Sequence, residues 1–393
     1  MIKEYKEAEL KADTAANYGR QYQQCSISVM DTIADPDITF DENGICNYYY
    51  EFKCLQLQNV FSGTEGENKL QELIENIKTN GKGKPYDCIT GISGGVDSSY
   101  LVLKAKEWGL RPLILHFDNG WNTEMAVSNI NNIIKKTGFD LYTLVVNWEE
   151  FKDLQLSYIK ASVVDIEVCT DLAIGGTMQK LAAKYNLKYI LSGNNIATEA
   201  IMPHTWIFNK ADYVNLLNIH NKFGTKSLKT YPLYGFKEQY LYSIGRGIKT
   251  VRPLNLLDYN KVHAKKDITE KLEWKDYGGK HYESTFTKFY QAYVLPAKFN
   301  IDKRKAHLST LIFSGQITKE EALEELNKPL YQESELKIDT EYVLKKFGLT
   351  SEEFQFYMKQ PRIEHSIFGT QKFLTQRFPL LKLLKPFKHF IGR

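Results

Sequence analysis

The apolar run Cys88-Ile89-Thr90-Gly91-Ile92 leads into Ser93-Gly94-Gly95-Val96-Asp97-Ser98-Ser99, and a helical pattern begins near Tyr100. Two successive glycines let backbone N–H groups approach an anion closely. The serines add hydroxyl donors, and the helix N-terminus adds the positive end of its dipole. Residues 93–99 are therefore a candidate cradle for pyrophosphate. No Gly-Lys-Ser/Thr ending follows, so this is not a Walker A loop, and no Gly-x-Gly-x-x-Gly is present, which disfavours dinucleotide binding. Asp97 discriminates further: a carboxylate beside phosphates repels them unless a divalent cation lies between, which implies Mg²⁺ at the pyrophosphate. The alternative is a tight turn in which Asp97 caps the helix that follows.

Such a loop needs a strand before it and a helix after it. From Asn68 to about Pro253, buried-strand runs (87–92, 113–117, 141–146 and 189–192) alternate with helical patterns (100–108, 123–137, 149–161 and 171–185). That alternation predicts an α/β fold with a parallel sheet covered on both faces, whose ligands bind beyond the strand carboxyl ends. We divide the chain into an arm at 1–20, a turn-rich, β-rich knuckle at 21–64, the α/β domain at 65–253, a helical extension at 254–350, and a basic amphipathic tail at 351–393.

Composition narrows the class. The 51 basic and 47 acidic residues are mixed along 393 positions and leave a formal charge of +4, without the basic stripe of a dedicated nucleic-acid binder. No apolar run reaches the roughly 20 residues that span a bilayer, and the first residues are too polar for a secretory signal, so a cytoplasmic protein is expected. Five cysteines, an odd number, argue against a disulfide framework.

The Ser-Gly-Gly-x-Asp-Ser-Ser run after a strand resembles the N-type ATP pyrophosphatases, such as GMP synthetase, asparagine synthetase, argininosuccinate synthetase and the tRNA thiolating enzymes. The resemblance implies an adenine nucleotide alpha hydrolase-like (HUP/PP-loop) domain. It also implies cleavage of ATP between its α- and β-phosphates, with AMP passed to a substrate oxygen that a nucleophile then displaces. Later segments sharpen the match: His116-Phe117-Asp118-Asn119-Gly120-Trp121-Asn122-Thr123-Glu124, Val164-Asp165-Ile166-Glu167, Ser192-Gly193-Asn194-Asn195-Ile196-Ala197-Thr198-Glu199, Gly279-Lys280-His281-Tyr282-Glu283-Ser284, Phe286 to Gln291 and Asp302 to Ser309. In this order, from about residue 20 to about 330, they resemble the N-acetyl sugar amidotransferases of surface-polysaccharide and flagellin-glycan biosynthesis. Such enzymes turn an acetamido group of a nucleotide-activated sugar into an acetamidino group. The ammonia comes from a separate glutaminase partner, which implies ammonia-channelling partner subunits here.

Other positions join the loop as candidates. Asp118, at a strand end, contacts the adenosine or the metal, or else caps the turn before Asn119-Gly120. Gly193 and Asn194 follow another strand end as nucleotide-binding candidates. Glu199 is a second metal carboxylate beside Asp97, or else a charge at a helix N-terminus. Lys280 and His281 are catalytic candidates with Asp97. Glu283, Lys303, Arg304 and His307 are substrate candidates, since acidic sugar nucleotides need cations; the alternative is a solvated helical face.

In similar amidotransferases the N-terminal segment carries two Cys-x-x-Cys pairs suited to Zn²⁺. Here Cys25 and Cys46 keep only the first thiol of each, with Ser28 and Tyr49 where partners would stand. Two thiolates alone cannot close a tetrahedral site, so we expect a zinc-ribbon-like knuckle without zinc, held by packing. Two other functions remain open. A tRNA-modifying enzyme would use the same loop, with Cys169 as a candidate thiol, and a nucleotide-binding scaffold would have lost activity. The tail at 378–393 either touches an anionic membrane weakly or packs on the core.

Overall fold

The computed structural model describes residues 20–278 and 282–372. All but the last residue of the 1–20 arm, Lys280, His281 and the tail at 378–393 lie outside the described residues.

A five-stranded sheet with order β3-β2-β1-β4-β5 forms the centre: β1 (Cys88–Gly91), β2 (Pro112–Asp118), β3 (Leu141–Val145), β4 (Tyr189–Leu191) and β5 (Lys249–Val251). Every pairing is parallel, with Ile89 opposite both Leu113 and Ile190. Central strands of a parallel sheet are covered on both faces, so they must be apolar throughout. Cys88, Ile89 and Thr90 have no exposed surface, and Thr90 satisfies its hydroxyl on the Leu191 carbonyl at 3.0 Å. The chain winds from β1 outward to β3, then returns to the other side of β1 for β4. The crevice above the carboxyl ends of β1 and β4 is thus the topological switch point, where ligands of such sheets bind.

The sequence-predicted alternation matches four of these strands. It omits β5, whose three residues are too short and too polar to show a buried-strand pattern. The helices used below are α1 (Asn47–Asn59), α2 (Gly63–Gly81), α3 (Val96–Glu107), α4 (Glu124–Thr137), α5 (Trp148–Ala161), α6 (Val168–Lys184), α7 (Tyr213–Phe223), α8 (Lys261–Leu272), α9 (Lys303–Phe313), α10 (Lys319–Leu326), α11 (Glu333–Phe347) and α12 (Ser351–Lys359). On one face Val102 of α3, Ile130 and Ile133 of α4, and Ile268 and Leu272 of α8 share a core with Ile92 and Ile114. On the other, Leu181 and Ala182 of α6 meet Ile89, Leu115 and Ile190. Helix α8 therefore helps to cover the sheet although it lies within the 254–350 extension.

The knuckle differs from the β-rich expectation. It holds only the bridges Gln24 to Asp31 and Phe40 to Cys46 before α1 begins. Tyr48 and Phe52, four residues apart, are buried on one helical face, and the Phe52 ring lies 5.7 Å from that of Phe313 on α9. This burial outweighs the strand preference of a Tyr-Tyr-Tyr run. Helix α2 crosses the expected boundary at 64–65. Among the described residues, no helix is long and apolar enough to cross a membrane.

Candidate active-site cleft

A cleft of about 740 Å³ opens at the switch point, lined by Ser93, Gly95, Val96, Asp97 and Ser98 from the β1–α3 turn and by Ser192, Gly193 and Asn194 after β4. Helix α3 starts at Val96, four residues earlier than the sequence pattern implies, with Gly95 as N-cap and no side-chain cap. Asp97 therefore sits in the first turn and does not cap the helix. Ser93 Oγ receives the Gly95 N–H at 3.2 Å, and Ser98 Oγ lies 3.2 Å from Ser93 Oγ. Gly94 is left-handed (φ 88°), and its carbonyl accepts from Trp274 Nε1 at 2.7 Å and from the Tyr277 hydroxyl at 2.9 Å. Burial pushes the Tyr277 phenol up to about 12, so it stays a donor. Both donors hold the Gly94 carbonyl away from the space where anions would sit. Ser99, placed among the phosphate-binding candidates, is instead fully buried one helical step further round, without a hydrogen-bond partner for its hydroxyl among the described residues.

Asp97 Oδ1 accepts from Asn195 Nδ2 at 3.3 Å and from the Tyr259 hydroxyl. Burial, then the charges of Asp97 and Glu199, raise Tyr259 far above the usual phenol range and keep its proton in place. Tyr259 thus stands within the field of two carboxylates that line one cleft. Mg²⁺ at a phosphate site asks for one or two carboxylates plus phosphate and water oxygens, and this donor set fits it. Asn195 also caps the short helix Ile196–Glu199, accepting the Thr198 N–H at 3.0 Å, so a single side chain ties Glu199 to Asp97. A Cβ on Gly193 would stand 3.2 Å from the Asp97 backbone and from Ser98 N, which is why the β4 turn needs glycine to pass this close to the loop.

At the end of β2 the turn-capping alternative describes Asp118 geometrically. Its Oδ1 accepts from Gly120 N at 2.9 Å and Asn122 Nδ2 at 3.2 Å, and it does not line the cleft. His116, two residues earlier on the same strand face, does. Its Nδ1 is 3.3 Å from the Ile92 carbonyl and its Nε2 is 3.2 Å from Asn122 Nδ2, partners that assign a neutral ring protonated on Nδ1. Burial lowers its pKa, in agreement. The 122–123 turn pairs with 283–284 through an Asn122 to Ser284 bridge and through the Thr123 N–H on the Glu283 carbonyl at 3.0 Å. This brings Glu283 to the rim of the loop, its Oε1 3.6 Å from where a Cβ of Gly95 would lie.

Further lining comes from later in the chain. Lys303 and His307, four residues apart on α9, line the cleft together. Arg304, adjacent in sequence, turns away. It grips Asp302 at 2.8 Å and the carbonyls of Glu325 and Lys328 at the end of α10, at 3.1 and 2.8 Å. Arg304 is therefore spent on helix packing rather than on the cleft, because successive helical residues point about 100° apart. Sequence reasoning missed Glu167, Asp171, Lys210 and Gln291 in this lining, as well as Tyr259, Trp274 and Tyr277 around the loop. Within the resemblance, the segments 164–167 and 286–291 were the available signal for Glu167 and Gln291.

In the knuckle Cys25 and Cys46 have no exposed surface. The Cys46 N–H donates to the Cys25 sulfur at 3.3 Å, and the adjoining Cys46 thiol holds Cys25 below the usual thiol range while Cys25 and burial push Cys46 up. Ser28 Oγ is 3.9 Å from Cys46 Sγ, while Tyr49 turns its ring onto Phe313 at 5.4 Å. Two sulfurs with one neutral hydroxyl beside them supply too few ligands to fit tetrahedral Zn²⁺. The knuckle instead braces α9: Lys305 pairs with Asp31 at 2.6 Å, Val29 N–H reaches Ser309 Oγ at 3.3 Å, and Lys319 of α10 bonds the Cys25 carbonyl at 2.7 Å.

No curated protein matches the chain. Among solved structures it is similar to NMN synthetase from Francisella tularensis (13% identity, 53% of this chain and 88% of that one, TM-score 0.29). It is similar too to the U34-tRNA thiolase NcsA from Methanococcus maripaludis (13%, 66% and 80%, TM-score 0.30). A third likeness is to NH3-dependent NAD synthetase from Campylobacter jejuni (12%, 53% and 94%, TM-score 0.28). Residues 283–382, which supply Glu283, Gln291, Lys303 and His307 to the cleft, match the family described as LPS biosynthesis protein WbpG-like, C-terminal domain.

Proposed function

We propose that this chain is an ATP-dependent amidotransferase that adenylates the N-acetyl group of a nucleotide-activated sugar and replaces its oxygen with ammonia, giving an acetamidino sugar. The observation that carries the reading is the placement of the Ser93–Ser98 turn and Asp97 in one cleft with a wall supplied by the WbpG-like domain. An amide carbonyl is a poor electrophile until its oxygen becomes a leaving group. In the first step that oxygen bonds to the α-phosphorus of ATP, the bond to the β-phosphate oxygen breaks, and the amide loses its N–H proton to give an O-adenylyl imidate and pyrophosphate. Ammonia then adds to the imidate carbon, AMP leaves with the former acetyl oxygen, and an amidine remains.

The turn's backbone N–H groups and the Ser93 and Ser98 hydroxyls would take the pyrophosphate oxygens, with the α3 dipole aligned to favour their charge. Asp97 and Glu199 would hold Mg²⁺, which when bound offsets the charge on the leaving pyrophosphate. Neutral His116 sits near the turn, its Nδ1 proton bound to the Ile92 carbonyl. Glutaminase and ammonia-channelling partners would supply the nucleophile.

Against sulfur transfer, Cys169 is fully buried, and burial pushes its thiol well above the usual range, which leaves no reactive thiolate at that position. Pyrophosphate release by the purified protein, assayed with nucleotide-linked N-acetyl sugars and ammonium chloride, tests the reading. Release that needs the sugar supports it, whereas release that needs RNA would replace it with a tRNA-modifying activity.

A further inference from the structure

One group of residues lining the cleft holds more chemistry than adenylation requires. Glu167 and Asp171 come from the start of α6, Lys210 from the segment before α7, Gln291 from the π-helical segment Tyr290–Val294 and Lys303 from the first residue of α9. Glu167 Oε2 accepts from Gln291 Nε2 at 2.8 Å and lies 3.4 Å from Lys303 Nζ. Lys210 Nζ is 2.9 Å from Asp171 Oδ2. Behind this row stands Asp165, with no exposed side-chain surface. Its Oδ1 is 2.6 Å from Lys210 Nζ, and its Oδ2 accepts the Phe208 N–H at 2.8 Å. Asp165 adopts φ 64°, a conformation costly for a side-chain-bearing residue, and is fixed there by its own N–H bonding the Tyr290 hydroxyl at 2.8 Å. Burial opposes the Lys210 charge, but Asp165, Asp171 and Glu167 outweigh it and hold the ammonium firmly protonated.

The pattern selects a ligand class. Each cation on the wall faces a carboxylate, so a phosphate or carboxylate ligand would meet Glu167 and Asp171, and a cationic ligand would meet Lys210 and Lys303. A hydroxyl group donates and accepts at once, so it can bridge an ammonium and a neighbouring carboxylate without disturbing the charge balance. Two fixed donor–acceptor pairs, Lys303 with Glu167 and Lys210 with Asp171, are thus matched to adjacent ring hydroxyls. These pairs line the same cleft as the turn that would take the phosphates of ATP.

We propose that Glu167, Asp171, Lys210 and Lys303 form the subsite for the hydroxyl-bearing ring of the acceptor, the carboxylates accepting from ring hydroxyls and the lysines donating to them. This rests on the sugar-acceptor reading above. It adds that specificity for the sugar is set on this wall and not at the phosphate turn.

Equilibrium titration of the full chain, saturated with a non-hydrolysable ATP analogue, tests it with UDP-N-acetylglucosamine, UDP-N-acetylgalactosamine and CMP-N-acetylneuraminate, with UDP and CMP as sugar-free controls. The expected result is that at least one sugar nucleotide binds more tightly than its sugar-free control, and that Glu167→Gln and Asp171→Asn each remove about tenfold of that affinity. Affinity for the ATP analogue should stay at the wild-type value. Lys210→Met strands the buried Asp165 charge and is prone to misfold; Asp171→Asn, which keeps the Lys210 to Asp165 pair, is the decisive variant. Sugar binding unaltered in both carboxylate variants would overturn the subsite while leaving the sugar-acceptor reading intact. Failure of every sugar nucleotide to outbind its control on wild-type protein that does bind the ATP analogue would overturn both.

Discussion

Replacing Gly94 by alanine tests how the Ser93–Ser98 turn is held. Gly94 has φ 88°, and a Cβ there would lie 2.6 Å from the Tyr277 hydroxyl, with the Ala126 carbonyl oxygen next at 3.4 Å. A left-handed conformation costs a non-glycine residue about 1–2 kcal/mol. The contact also forces the Tyr277 hydroxyl off the Gly94 carbonyl, losing a hydrogen bond worth about 1 kcal/mol. Gly94→Ala should therefore destabilise by about 2–3 kcal/mol. Tyr277→Phe alone removes the same hydrogen bond while leaving Trp274 on the carbonyl, at about 1 kcal/mol. In the double variant the clashing oxygen is absent and the hydrogen bond is lost only once. The two effects should then fall short of additivity by about 1 kcal/mol. Urea unfolding of wild type, both single variants and the double variant closes the cycle. Full additivity would refute the claim that the Tyr277 hydroxyl packs on and holds the turn at Gly94.

Arg304→Ala should lower stability by about 1–3 kcal/mol through the lost carbonyl and Asp302 contacts while leaving ATP affinity unchanged; a thermal melt beside an ATP titration checks this. His116 has a folded-state pKa below its ordinary 6.5 because it is buried. The unfolded chain therefore takes up a proton that the folded chain refuses, so stability should fall as pH drops below 6.5, and His116→Gln should flatten that part of the urea-midpoint profile. Dialysis against a chelator should leave the Tm unchanged, since the Cys25–Cys46 pair does not fit Zn²⁺; a drop of several degrees, or stoichiometric zinc by elemental analysis, would contradict this.

The sheet was legible because β1 and β2 are covered on both faces, a demand that writes Cys88–Ile92 and Leu113–Phe117 as mainly apolar runs broken only at Thr90, Gly91 and His116. The turn was legible because its residues, Ser93 to Ser98, are contiguous, directly between an apolar strand and a helix. What could not be read depends on distance along the chain. Tyr259, Trp274 and Tyr277 reach the turn from more than 150 residues away. Lys210 has meaning only beside Asp165. Glu283 reaches the rim through a two-residue bridge that carries no periodic signal. Arg304 shows the converse: its residue type suits a substrate anion, but the helical phase shared by Lys303 and His307 excludes it. Helix α1 went unread because the packing of Tyr49 and Phe52 on Phe313 of α9 is tertiary, and local propensity points elsewhere.

The most direct test follows the fate of α-labelled ATP in the presence of ammonium chloride and the sugar-nucleotide panel, with Asp97→Asn as the control. AMP and pyrophosphate are expected in equal amounts, formed only with a sugar acceptor whose mass shows one oxygen exchanged for one NH, and none of these products from Asp97→Asn. ADP and inorganic phosphate as the products, or AMP formed at the same rate without any sugar, would contradict the adenylation reading.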